Sequence, residues 1–284
     1  MAAPGGQHGH LRWVERPSLT EPVLICAFEG WNDAGDAATT AATFLRDQWS
    51  GEPFCEIDPE EFYDFTETRP RVELDDAGAR EIVWPENAFW HASVRDRDVV
   101  FLVGVEPQLR WRTFCEQVVG VAGEISASLV VTLGALLAEV PHSREVPIVG
   151  TAEDEELIAR LNLRRSQYEG PTGVVGALHL ACRQAGLRSA SLWGTVPSYV
   201  PGAPSPKVAL ALVERAASLL ERPAETTELE IAAAAYERQV NEVVESDDET
   251  AGYVAELERR FDESDDIQDP GSLIEEVERF LRDR

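Results

Sequence analysis

Short apolar runs closed by Gly or Pro alternate with stretches of helical spacing through most of this chain, and that alternation limits the fold more than any other feature. Pro22–Phe28 (PVLICAF) is apolar throughout, as a strand buried on both faces must be. After the turn GWNDAGD, Ala37–Trp49 places Ala38, Ala41, Leu45 and Trp49 on one helical side. The pattern recurs as strand Val99–Val105 with helix Thr113–Ile125, strand Leu129–Leu133, and strand Pro147–Gly150 with a helix opened by Thr151. In that helix Glu153, Asp154, Glu155 and Glu156 crowd the first turn, where the helix dipole favours negative charge. A helix over 173–186, strand Ala190–Val196 and helix Val208–Leu220 complete the series. Strands alternating with helices predict an α/β domain with a mostly parallel sheet covered on both faces, spanning about residues 21–221.

Three segments depart from this pattern. Residues 1–20, rich in Gly, Pro and His, are expected to be flexible, with His8 and His10 as tail residues rather than metal ligands. Arg71–Leu74 and Glu81–Trp84 flank Asp75-Asp76-Ala77-Gly78, which predicts a hairpin at the sheet edge, followed by the aromatic residues Trp84, Phe89 and Trp90. Residues 222–284 form an acidic helical appendage; from residue 221 onward there are 21 acidic and 7 basic side chains. Apolar stripes run through it: Leu229, Ala233, Tyr236, Val240 and Val243; then Tyr253, Val254, Leu257 and Phe261; then Leu273, Ile274, Val277 and Phe280, opened by a Ser272/Glu275 capping box. Helices this short need a partner surface, so they are expected to dock on the α/β domain or on a neighbouring copy.

Charge narrows the partners. The formal net charge of −27 repels nucleic acid and anionic lipid alike. No apolar run reaches the roughly 18 residues of a membrane span, and the N-terminus has no apolar signal core, so the cytoplasm is the expected location. The cysteines Cys26, Cys55, Cys115 and Cys182 form no CxxC and are expected as reduced core thiols. Lys207 is the one lysine, and no Walker sequence, GxSxG elbow, HExxH or zinc-spaced Cys/His set occurs, so neither metal nor cofactor is expected. His91, His142 and His179 are isolated, and His179 is expected as a satisfied core histidine.

Open α/β sheets place ligands at the carboxyl ends of their strands, and four segments should share that rim. The first is Gly30-Trp31-Asn32-Asp33-Ala34-Gly35-Asp36, where either aspartate is expected to cap the helix, with recognition of a cation or of backbone amides as the alternative, and Trp31 and Asn32 are expected as contact residues. The second runs Glu106 to Arg112 through Arg110 and Trp111, with Glu106, Arg110 and Arg112 expected to pair with one another. The third carries Tyr168 and Thr172, the latter as a helix cap, and the fourth Pro197 and Tyr199. An enzyme here, a nucleosidase, phosphorylase or small hydrolase, would need Arg110, Arg112, Thr172 and Glu106 to converge.

Five ordered blocks, FEGWNDAGDAA, EPQLRWRTF, TLGALLAEVPHSR, YEGPTGVVGALH and GTVPSYVPGAPSP, cover about residues 20–220. Together they resemble the actinobacterial branch of the proteasome assembly chaperone 2 family. The resemblance implies a three-layer α/β/α fold like that of the purine nucleoside phosphorylases. It also implies self-assembly, for which a trimer is the guess at a size the sequence does not give, and kinship with eukaryotic proteins that help build proteasome α-rings. Archaeal relatives dock on proteasomes through a C-terminal hydrophobic residue, a tyrosine and any residue. This chain ends Leu281-Arg282-Asp283-Arg284, so that route is not expected. The expectation is a non-enzymatic interaction protein, chaperone-like in proteasome assembly or regulation.

Overall fold

A computed structural model describes residues 9–75, 78–94, 97–166 and 168–263. In chain order the strands and helices are β1 (Leu11–Trp13), β2 (Val23–Glu29), α1 (Ala37–Gln48), β3 (Glu52–Ile57), β4 (Arg71–Leu74), β5 (Arg80–Val83), β6 (Asn87–Val94), β7 (Arg97–Val105) and α2 (Trp111–Glu124). There follow β8 (Leu129–Ala138), β9 (Ile148–Ala152), α3 (Glu155–Leu161), α4 (Val174–Gln184), β10 (Ser189–Pro197), α5 (Pro206–Leu219), α6 (Thr227–Glu245) and α7 (Asp248–Glu263). Eight strands form one sheet in the order β1-β3-β6-β7-β2-β8-β10-β9, and β4 and β5 pair separately.

The centre of the sheet, β7-β2-β8-β10, is parallel, while β6, β3 and β1 on one side and β9 on the other add antiparallel pairings. Strand β2 shows why both faces must be covered. Val23, Ile25 and Ala27 enter the layer built by α1 and α5, whereas Leu24, Cys26 and Phe28 enter the layer built by α2 and α4. All six are at most 1% exposed, so the period-two alternation of a strand delivers apolar atoms to both sides. This is the α/β/α arrangement of the sequence expectation.

Several local expectations are corrected. Leu11–Trp13, placed in the flexible first 20 residues, pairs with Cys55–Ile57. Thr151 does not open a helix: it belongs to β9, paired with Ser191, and α3 begins after Asp154, whose carboxylate accepts from the Leu157 N–H at 2.8 Å. Strands β3 and β6 were not singled out by spacing. The hairpin β4–β5 forms as expected, although its turn residues 76–77 lie outside the described residues. Phe89 is core, Trp90 lies under the Arg46 guanidinium, and Trp84 meets Phe65 edge-on at 4.8 Å. The four cysteines are buried and unbridged.

Helix α6 packs on α5, and α7 folds back on α6. Tyr236, Val240, Val244 and Val254 form a small core with Tyr199, Val200 and Ala251, which buries most of the first stripe and part of the second; Val243, expected in the first stripe, is 65% exposed and Val244 takes its place, while Tyr253 is 38% exposed. The third stripe and its capping box lie outside the described residues. No helix among the described residues is long and apolar enough to cross a membrane.

Candidate functional site

Because β2, β7, β8 and β10 are parallel, their carboxyl ends share one rim. The turn after β2 is held by its own polar groups. The Asp33 carboxylate accepts from the Ala38 N–H at 2.6 Å and also from the backbone and hydroxyl of Thr39, so Asp33 caps α1 from the front. Asp36, the other expected cap, has φ 51° and makes no capping bond. Burial outweighs these donors and pushes the Asp33 carboxyl from 3.8 to about 6. Gly35 has φ +60°, and a Cβ there would lie 3.0 Å from Ala203 O and Ser205 Cβ, which is why glycine occupies the position.

Glu106 is the knot of the rim. Its Oε1 accepts from Asn32 Nδ2 at 2.9 Å and from the Val174 N–H at 2.7 Å, joining the turn after β2, the turn after β7 and the N-terminus of α4. Gly173 stands at the cap position of α4 without a side-chain bond, so a carboxylate 68 residues away serves the helix end that Thr172 was expected to cap. The expected pairing of Glu106 with Arg110 and Arg112 is absent for the same reason. Arg110 pairs with Glu61 instead, Arg112 is exposed, and Trp111 donates its indole N–H to Pro107 O.

Over β7 the rim is filled by the segment 59–68. Phe62 and Tyr63 are buried, the Tyr63 hydroxyl donates to Val105 O at 2.5 Å, and Phe62 O accepts from Gln108 and Leu109. Over β8 and β10 it is filled by α6 and α7. The Tyr199 hydroxyl accepts from the His142 backbone N–H at 2.7 Å, and His142 Nε2 lies 2.9 Å from Asn241 Oδ1 on α6. Lys207 Nζ, 2.5 Å from both His142 O and Glu237 Oε2, adds a second tie, and Arg144 grips Asp262 with two bonds of 2.7 and 2.8 Å. Pro197 is buried beside Ala138. The expected rim residues therefore divide: Tyr199 and Pro197 lie beneath the helical hairpin, while Trp31, Asn32, Tyr168 and Thr172 border an open cavity.

That cavity, about 720 Å³, lies between α4 and the faces of β10 and β9. Ser166, Tyr168, Gly170, Pro171 and Thr172 line part of it, with the Tyr168 hydroxyl donating to Pro171 O at 2.6 Å. Its floor is hydroxylic: Ser189 and Ser191 of β10 and Thr151 of β9, with His179 of α4 beside them. Thr132 donates to Ser191 Oγ at 2.9 Å and lies 2.9 Å from His179 Nε2; Ser189 Oγ is 2.9 Å from His179 Nδ1. Burial lowers His179 to about 4, so the ring is neutral near pH 7, the satisfied histidine that was expected. Sequence reasoning missed the serines. Their signal was the alternation Ser189, Ser191, Trp193 against Ala190, Leu192 in a central strand, where both faces are usually aliphatic.

The solved structures that resemble this one follow the same outline. A PAC2 family protein from Streptomyces avermitilis is 44% identical, with a TM-score of 0.77, covering 82% of this chain and 99% of that one. A Mycobacterium tuberculosis proteasome-assembly chaperone homologue is 41% identical, with a TM-score of 0.74 and the same coverage. A Mycobacterium tuberculosis protein of unknown function is 27% identical but covers 100% of this chain, and 99% of its own, at a TM-score of 0.85. No curated protein matches the sequence. The model of the PAC2 family matches residues 27–244, and with relatives above 40% identity along most of its length this chain belongs to the PAC2 family.

Proposed function

We propose that this chain is a non-enzymatic protein-interaction module that acts, like a chaperone, in proteasome assembly or regulation. The observation that carries the reading is the covered part of the rim, over β7 and over the ends of β8 and β10. Where an α/β enzyme would keep polar groups free to meet a substrate, Glu106 is engaged by Asn32 and Val174, Arg110 by Glu61, and the ends of β8 and β10 by α6 and α7. The 41% identity to a proteasome-assembly chaperone homologue supplies the partner class.

Contact surface is available. On the β4–β5 hairpin Val72 faces Ile82 in register, and Val72, Leu74, Ile82 and the adjoining Trp84 are 63%, 69%, 56% and 45% exposed, an apolar concentration of the kind found at protein interfaces. The net charge of −27 favours a partner surface with basic patches over nucleic acid or anionic membrane; self-association and a cytoplasmic location are part of the same proposal. The test is to mix the full-length chain with unassembled proteasome α subunits of its host and follow the products by native mass spectrometry. A heteromeric complex, weakened by Ile82→Asp, is expected. Failure to bind either α subunits or assembled proteasomes at tens of micromolar would sink the reading.

A further inference from the structure

The chain carries a cavity that its rim architecture does not explain. On the α4 side of the sheet, α2 and α4 bury the faces of β7, β2 and β8, and α4 reaches β10 through His179 and Ser189, leaving a space between α4 and the faces of β10 and β9. The resulting space of about 720 Å³ is within the range of small-molecule sites, roughly 300–1,000 Å³. Trp193 forms part of its inner wall and Trp31 borders it near Asn32.

Proton bookkeeping shows what the floor offers. The Thr132 hydroxyl has one proton, and it is donated to Ser191 Oγ. Thr132 Oγ1 therefore accepts from His179 Nε2–H, and Nδ1, left without a proton, accepts from the Ser189 hydroxyl. Every proton in this relay is used except the one on Ser191. Ser191 is 3% exposed, lines the cavity, and makes no further hydrogen bond among the described residues. A buried hydroxyl polarised by two bonds upstream is a strong donor, and burial makes an unmade bond costly.

Among the lining residues two arginines meet two carboxylates. Arg183 of α4 pairs with Glu153 at 2.8 Å, and Arg188 pairs with Asp154 at 3.0 Å, with Glu156, outside the lining, a further 3.3 Å contact of Arg188. The first pair ties α4, and the second the residue before β10, to the segment after β9, and together they leave the lining with no net charge for an ionic ligand. We propose that the cavity is a binding site for an uncharged aromatic or heteroaromatic small molecule carrying a carbonyl or amide acceptor. The ring lies against Trp193 and the acceptor takes the Ser191 proton.

The test uses the full-length chain and a panel of uncharged bicyclic lactams and carboxamides headed by 2-quinolinone, with indole as a probe that lacks an oxygen acceptor. Saturation-transfer NMR and tryptophan fluorescence read the binding. Saturable binding of 2-quinolinone or its congeners is expected, about tenfold weaker in Ser191→Ala, while indole binding changes by less than about twofold. Ser191→Leu, which fills the floor, should abolish both; should that variant not fold, Thr172→Phe plugs the cavity from an exposed position. The proposal is overturned if no member of the panel saturates the parent protein. It is overturned equally if the filled variants bind as well as the parent, or if filling changes oligomer size, which would make the cavity a seat for a second copy.

Discussion

Glu106 carries more of the rim than any other single side chain, because one carboxylate oxygen serves two donors from elements far apart in sequence. Glu106→Ala leaves Asn32 Nδ2 and the Val174 N–H without their acceptor, and a loss of roughly 2–3 kcal/mol in urea unfolding is expected. Glu106→Gln, which keeps an acceptor oxygen, should lose about half as much; equal losses would show that bulk rather than hydrogen bonding matters there. Asp33 makes a prediction about pH. Its folded value near 6 lies above its ordinary 3.8, so the folded state holds the proton more tightly. The stability it contributes is present below about pH 4 and is lost as pH rises through 6. At about 1.4 kcal/mol per unit the wild type should lose about 3 kcal/mol relative to Asp33→Asn across that window. Parallel stability curves for the two proteins would refute this. His179 works in the opposite sense, since its depressed value makes its contribution full above pH 6.5 and lost as pH falls toward 4.

At the scale of elements, the α6–α7 hairpin is held by a mixed contact. Tyr236, Val240 and Val254 pack around Tyr199, and Tyr199 meets Tyr253 edge-on at 6.1 Å. Tyr199 also holds His142, which in turn reaches Asn241 on α6, so one ring links the loop after β8, the loop after β10 and both helices. Tyr199→Ala removes the ring and the hydroxyl together, and a loss on the order of 3 kcal/mol is expected. Its sign would be cleavage after residue 222 in limited proteolysis, at sites that the parent protein keeps protected. Rapid trimming of the parent itself, with no change in melting temperature, would mean that the hairpin is not docked in solution.

At the scale of the whole molecule, the charge of −27 acts against compactness. Local ion pairs such as Arg144–Asp262 and Arg188–Asp154 relieve some repulsion but use arginines that acidic residues outnumber. Raising the salt from 10 to 150 mM shortens the Debye length from about 30 to 8 Å. If screening recovers about 1 kcal/mol, the melting temperature should rise by about 2–4 °C. A fall would mean that attractive pairs outweigh the net repulsion.

The layered α/β plan could be read from the chain alone, because the stretches Val23–Phe28 of β2 and Val99–Leu102 of β7, buried on both faces, are apolar at every position, and a helix packed on a sheet must repeat its apolar residues every third or fourth position. It also carried the family, through five blocks whose order survives along the chain. Strands β1, β3 and β6 were not legible, since Glu52, Glu56 and His91 interrupt their pattern and their extended form depends on partners supplied by distant segments. The rim was legible as a place but not as a set of contacts. Which donor Glu106 would meet, that Glu61 rather than Glu106 would take Arg110, and that Ser189 and Ser191 would floor a cavity were decided only when the sheet closed. Each depends on groups tens of residues apart, and sequence spacing does not encode which of them will touch.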